Sequence, residues 1–336
     1  MKNNPVRTMT DIARLAGVSK STVSRALNDS PLISEETKQQ IRDIAQKHNF
    51  QMNLPASRLS KQRSNTLGFV THGYAKDFCV DDLFSLEMLG AISAATSKIN
   101  YDLLMLHVDP RDQSWPEKYL NTGRVDGFIL MTSTRKSNHI KALLALQAPF
   151  IVWGIPDFQS SHCSVTGDNL TGGLLATRYL LKKGRRKIAF IGGPEEDAEV
   201  KLRFKGYQQA LAEAGMEVDP NYVVYGDYSS PSGAIGCKRL LQQAPDMDAI
   251  FANSDMMATG ALNYLNENCC RVPDQIAVMG YDDVSITAHT FPPLTTIRQN
   301  IPESGRLLVR NLIQYLETGI ISNATVPVEL VIRGSA

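Results

Sequence analysis

The sequence predicts a small all-α head joined to an α/β body that carries two parallel sheets. Three observations lead there. Residues 10–47 place apolar side chains at helical spacings of three and four, interrupted by cap residues and one glycine. From Leu67 the pattern changes to short apolar runs alternating with helical stretches, the order expected of strand–helix–strand units. That alternation then repeats, which implies two sheets of similar build. The chain has 336 residues, 43% apolar and 21% charged, which suits two or three globular domains and excludes a disordered chain.

The head centres on Thr10 to Asn28, TDIARLAGVSKSTVSRALN. Thr10 is the expected cap of a first helix whose apolar face is Ile12, Ala13, Leu15 and Ala16. Gly17 ends it, because glycine tolerates the left-handed turn; Val18 points inward, and Ser19 caps a second helix. In that helix Val23, Ala26 and Leu27 share one face. Lys20, Ser21, Thr22, Ser24, Arg25 and Asn28 lie elsewhere, none of them acidic. A short helix with a small apolar face and a face of cations and hydroxyls suits the DNA major groove; the plainer alternative is a helical hairpin with a solvated face. A third helix starts at Ser34, with Thr37 or Glu36 in a capping arrangement, and its Ile41, Ile44 and Ala45 close over Ile12, Val23 and Leu27. Charge supports the groove reading. Through Thr66 there are eleven Lys or Arg against five acids, whereas the remainder carries twenty-four basic and twenty-nine acidic residues. A basic head on an acidic body marks an anionic partner bound at one end.

Residues 51–61 are polar and basic and read as a linker, with Ala56 and Leu59 its sparse apolar residues. Beyond it LGFVTHG, DLLMLHV, DGFILM and PFIVWG read as buried parallel strands, with helices over 84–99, 115–122 and 138–145 between them. The second set comprises strands KIAFIGG, NYVVYG, DAIFAN and IAVMGYD with helices over 170–182, 200–214, 232–243 and 255–268. A helix over 301–317 and a strand over 326–332 complete the body.

No apolar run is long enough to span a membrane and no signal peptide opens the chain. Five cysteines, an odd number without a C-x-x-C pair, fit reduced cytoplasmic thiols, and the six scattered histidines lack ligand spacing, so no metal and no cofactor is expected. Phosphate-loop, dinucleotide-binding and hydrolase-elbow motifs are missing, which argues against an enzyme. Ligands in parallel α/β sheets bind beyond the carboxyl ends of the strands. Those positions hold Asp82, Phe84, Arg135, Trp153, Asp168, Arg203, Ser254, Asp255 and Asp282. Carboxylates, arginines, a hydroxyl and aromatics together suit a sugar, whose hydroxyls pair with the first and whose apolar ring face packs on the last. Taken singly, Trp153 equally suits the core and Asp82 a helix cap.

Asp11-Ile12-Ala13, Ala16-Gly17-Val18-Ser19, Thr22-Val23-Ser24-Arg25 and Leu27-Asn28 resemble the DNA-binding head of the lactose/galactose repressor family. The resemblance continues through Asp168-Asn169, Arg203-Phe204-Lys205-Gly206-Tyr207, Ser254-Asp255, Gly280-Tyr281-Asp282 and Leu294-Thr295-Thr296-Ile297. It implies a helix-turn-helix head (1–50), a hinge helix (51–66) and an effector-binding, dimerising core (67–336) of periplasmic-binding-protein-like architecture. The core's N-subdomain would cover about 67–165 and 297–324, its C-subdomain about 166–296 and 325–336, with crossings near Val165, Thr296 and Ala324. It implies DNA contacts from Ser19, Lys20, Ser21, Thr22, Ser24, Arg25, Asn28 and Asn53, and a minor-groove wedge at Leu59. Met52 stands where the family usually has proline, and Pro55 is an insertion at the start of the hinge helix. The resemblance also selects Arg203 and Asp282 as effector contacts; a structural ion pair of the two, or with Asp168, is the alternative. The function expected is a repressor of sugar-utilisation genes, binding operator DNA as a homodimer and governed by a mono- or disaccharide. A sugar-metabolising enzyme, or a regulator sensing a purine or amino acid, are the other readings. With no leucine heptad after the last strand, a dimer is expected and not a tetramer.

Overall fold

A computed structural model describes residues 8–50, 63–72, 83–109, 112–131, 137–156 and 162–336. The chain divides into two compact units, Met1–Ser64 and Asn65–Ala336. Residues 51–62 of the expected hinge helix, with Asn53, Pro55 and Leu59, lie outside the described residues, as do Asp82 and Arg135.

In the first unit, helices α1 (Met9–Ala16), α2 (Lys20–Leu27) and α3 (Glu35–Lys47) bury Ile12, Ala13, Ala16, Val23, Ala26, Ile41 and Ala45 together. The cap of α1 is Thr8, not Thr10. Thr8 Oγ1 accepts from the Asp11 backbone N–H at 3.2 Å, and the Thr8 N–H donates to Asp11 Oδ2 at 3.0 Å. A cap at Thr10 would put Ala13 in the reciprocating position, where no side chain can answer; a cap at Thr8 puts Asp11 there. Gly17 closes α1 at φ 68°, and Ser19 and Ser34 cap α2 and α3.

The body's first half is a six-stranded sheet of order β11-β5-β4-β3-β1-β2, every pairing parallel. Its strands are β1 (Thr66–His72), β2 (Asp102–Val108), β3 (Gly127–Met131), β4 (Phe150–Trp153), β5 (Cys163–Gly167) and β11 (Asn323–Val326). Helices α4 (Leu83–Lys98), α5 (Trp115–Leu120) and α6 (Ser137–Ala145) connect them, and α11 (Ile301–Thr318) packs against α4. The second half holds a parallel sheet of order β7-β6-β8-β9: β6 (Ile188–Gly192), β7 (Val223–Tyr225), β8 (Ala249–Ala252) and β9 (Ala277–Met279). Its helices are α7 (Asn169–Lys182), α8 (Ala198–Glu213), α9 (Ser230–Gln243) and α10 (Asp255–Glu267). An antiparallel pair, β10 (Thr296–Gln299) with β12 (Val328–Val331), joins this half through bridges Met279 to Thr295 and Asp282 to Arg298.

The sequence pattern passes over β5, β10 and β11, the strand expected over 326–332 being β12. β5 reads CSVTG, and its hydroxyls look like loop residues, yet Ser164 and Thr166 are buried with those hydroxyls bonded to Asn323 Oδ1 and the Gly167 carbonyl. The chain passes from the first half to the second after β5, returns between β10 and α11, and leaves again between β11 and β12.

Candidate functional site

Two regions gather polar residues without a folding reason, one in each unit. On α2 the buried side is Val23 and Ala26, so Lys20, Ser21, Arg25 and Asn28 are exposed while Thr22 and Ser24 are half-buried. Ser19 Oγ accepts from the Thr22 N–H at 3.1 Å and lies within 2.8 Å of both the Ser21 and Thr22 hydroxyls. Asn28 Nδ2 donates to the Ser24 carbonyl at 2.7 Å. Lys20 and Arg25 form no ion pair among the described residues. The helix is anchored from behind: Lys38, 4% exposed, pairs with Glu35 and Asp29, and Arg42 donates to Asp29 at 2.8 Å. The cations facing solvent are thus separate from those that hold the head together.

In the body, the carboxyl ends of β6, β8 and β9 face a cluster built around Arg203. This arginine lies on the inner face of α8 and is 5% exposed. Its Nε donates to Asn169 Oδ1 at 2.8 Å, its Nη1 to the Asn253 carbonyl at 2.6 Å, and its guanidinium lies 3.7 Å from the centroid of the Tyr281 ring. Burial opposes the charge, but Tyr281, Asp282, Tyr228 and Glu199 surround it and hold its pKa above the ordinary arginine value. Nη2 takes no bond among the described residues, so the fork is fixed on one side and open on the other.

Asp282 is the next residue after Tyr281, 7% exposed and at φ 120°. Its Oδ1 accepts from Gln299 Nε2 at 2.7 Å. Its neighbour Asp283 is differently placed, bonded to Arg298 at 2.7 Å and to Arg333 at 2.6 Å. Asp255 is fully buried, with Oδ1 accepting from Thr296 Oγ1 at 2.5 Å and Oδ2 from the Val284 N–H at 2.9 Å. Burial first, and the Asp282 charge second, push its carboxyl well above the usual range. Ser254 and Asp168 are caps: Ser254 Oγ accepts from the Met257 N–H at 3.1 Å, and Asp168 Oδ1 from the Thr171 N–H at 3.1 Å. In the other half Phe84 and Trp153 pair at 5.8 Å between centroids, with Trp153 7% exposed in the core between the sheet and α4 and α11.

The structure therefore brings Arg203, Asp282 and Asp255 to one place, with the Ser254 and Asp168 caps beside them. It also brings residues that the sequence did not single out. Asn253 is fully buried, and neither side-chain amide atom has a partner among the described residues. Tyr281 supplies the ring beneath Arg203. Tyr228 donates from its hydroxyl to Asp197 Oδ2 at 3.2 Å, and Glu199 Oε1 accepts from the Ile155 N–H of the other half at 3.2 Å. Asn169 and Tyr281 stand inside the matched motifs; Asn253 immediately follows β8, at a strand's carboxyl end.

Known proteins resemble the chain over both units. Residues 8–53 match the model described as bacterial regulatory proteins, lacI family, and residues 177–336 match that of a periplasmic binding protein-like domain. The HTH-type transcriptional regulator CelR of Thermobifida fusca is 32% identical over 97% of this chain and 95% of its own. A solved structure of a transcriptional regulator CelR–cellobiose complex superposes with a TM-score of 0.75 at 29% identity, covering 98% of this chain and 99% of that one. The lac repressor dimer bound to operator and the anti-inducer ONPF superposes with a TM-score of 0.80 at 26% identity over 99% of each chain.

Proposed function

The chain belongs to the lacI family of bacterial regulatory proteins, and from that premise we propose that it is a homodimeric operator-binding repressor released by a disaccharide of the cellobiose type. Two recognition helices related by a two-fold axis meet two half-sites of a near-palindromic operator. Arg25 reads a base, guanine through O6 and N7 being the best match to its fork, while Lys20 and Ser21 set neighbouring positions. Ser19, Thr22, Ser24 and Asn28 hold phosphates and fix register, and Asn53 and Leu59 extend the contact into the minor groove. The protein works in the cytoplasm, where its operator lies, and carries out no catalytic step.

The observation that carries the effector reading is the half-open fork of Arg203 beside the Asp282 carboxylate at the carboxyl edge of β9. A donor fork and an acceptor side by side match vicinal sugar hydroxyls. Phe84 and Trp153 belong to the same reading as the opposite wall, and Asp168, Ser254 and Asp255 as its floor; Asp82 and Arg135, outside the described residues, are the further contacts proposed. The effector must favour one arrangement of the two halves over another, because a ligand indifferent to closure shifts nothing. The test is to select an operator from random duplexes, then follow its binding by fluorescence anisotropy while titrating cellobiose, ribose and hypoxanthine. Cellobiose releasing the operator supports the reading. Release by hypoxanthine alone refutes the sugar class, and failure to select any duplex refutes the repressor.

A further inference from the structure

Arg203 and Asp282 are 79 positions apart in sequence, yet each is bonded to a buried amide side chain, and the two amides meet at one glycine. Arg203 Nε donates to Asn169 Oδ1 at 2.8 Å. Asn169, 2% exposed, in turn donates from Nδ2 to the Gly167 carbonyl at 2.9 Å and to Thr166 Oγ1 at 3.2 Å. Both acceptors end β5, where the chain first crosses between the halves. Asp282 Oδ1 accepts from Gln299 Nε2 at 2.7 Å, and Gln299, 4% exposed, ends β10, the second crossing. A Cβ on Gly167 would lie 2.4 Å from Gln299 Oε1 and 3.7 Å from Val328 at the third crossing. The Asp168 N–H beside it donates to the Val326 carbonyl at 2.9 Å.

We propose that Asn169 and Gln299 are positioning residues that relay effector contact at Arg203 and Asp282 to the three crossover strands, meeting at Gly167. The inference rests on the effector reading of Arg203 and Asp282 and adds how occupancy reaches the hinge. Three features favour a relay over packing alone. Hinges absorb motion at a few element-terminal residues, and Gly167, Gln299 and Val328 are such positions. The Gln299 carbonyl oxygen is buried with no partner among the described residues, so its amide orientation is set by Asp282 and not by the hinge. Gly167 makes the place for that amide, because a Cβ there would lie 2.4 Å from the Gln299 oxygen.

Two variants leave the effector-binding groups chemically intact. Gln299→Met keeps length and burial but cannot donate to Asp282. Gly167→Ala introduces a methyl group where the Gln299 oxygen now sits and contacts it through the flexible end of that side chain. The full chain is assayed for cellobiose affinity by calorimetry, and for operator affinity with and without saturating cellobiose. The relay predicts cellobiose affinity within about threefold of wild type, unchanged operator affinity without sugar, and at least about a fivefold loss in the ratio of the two operator affinities, the low end of ordinary allosteric coupling. A wild-type ratio in both variants overturns the relay. So does a ratio that is preserved while both operator affinities fall together, since that is a folding defect. Arg203→Ala and Asp282→Ala binding cellobiose as wild type, or a wild type indifferent to cellobiose, overturn instead the effector reading on which the relay rests.

Discussion

Replacing Asp282 by asparagine should separate effector binding from folding. The variant keeps the side chain's size and an oxygen that can still accept from Gln299 Nε2, now 2.7 Å away. What it removes is one negative charge, felt by two neighbours in opposite senses. Arg203 loses an attractive carboxylate, although Glu199 remains near it. Asp255, whose carboxyl is pushed up by burial and then by Asp282, loses a repulsive one. The two changes offset, so the melting temperature should stay within about 4 °C of wild type, the shift that roughly 1 kcal/mol produces in a domain this large. Effector binding has no such offset. A hydroxyl donating to a carboxylate contributes about 1.5–3 kcal/mol, and an amide recovers little of it, so cellobiose affinity should fall about 10- to 150-fold. Calorimetry and a melting curve on the same preparation measure both quantities. Wild-type cellobiose affinity would refute the contact. A large fall in melting temperature with operator binding lost in the absence of sugar would show that Asp282 holds the fold together.

Arg203→Ala should affect both quantities, because it strips donors from two buried acceptors, Asn169 Oδ1 and the Asn253 carbonyl. At about 1–3 kcal/mol for each unmet group, denaturant unfolding should detect the loss together with abolished cellobiose binding. Arg25→Ala should cost about 1–3 kcal/mol in operator affinity and relax selection at one base position per half-site, read by repeating the operator selection with the variant. Asp255→Asn should become more stable relative to wild type as pH rises. The folded carboxyl has its pKa raised above the unfolded value, so its stabilising contribution is full below the usual carboxylate range and is lost as pH rises through the folded value. Melting curves of the two proteins from about pH 4 to about pH 8 should therefore diverge upward, and parallel curves would contradict the assignment.

Most of the secondary structure was legible because its signals are local. Helices declare themselves by spacing and caps, and buried parallel strands by apolar runs. The Thr8 cap was missed because two threonines compete, and the choice depends on which of them has an acid three residues later. Strands β5, β10 and β11 were missed because none is an apolar run; each depends on a partner far along the chain, β5 and β11 on each other and β10 on Val328 to Val331. The site was legible only as a set of residue types at strand ends. Residue type alone did not distinguish Asp282 from Asp283; the family motif selects the first, and the two differ in the structure because Arg298 and Arg333 hold the second. Nor could residue type show that Asp255, although beside the cluster, has both oxygens engaged by Thr296 and Val284.

The same distant pairings explain why an arginine, and not a lysine, suits position 203. A buried ammonium is a compact point charge, which cannot bond Asn169 and Asn253 in one plane while lying flat on Tyr281. The guanidinium does all three, and this fixes its plane before any ligand arrives. A preoriented donor loses less freedom on binding, which favours affinity. The stronger consequence concerns response. Asn169 holds the same guanidinium and also the end of β5, so in the proposed relay a ligand hydroxyl that shifts Arg203 loads the first crossing. In the proposed relay, the burial that makes Arg203 look structural is what couples it to the first crossing.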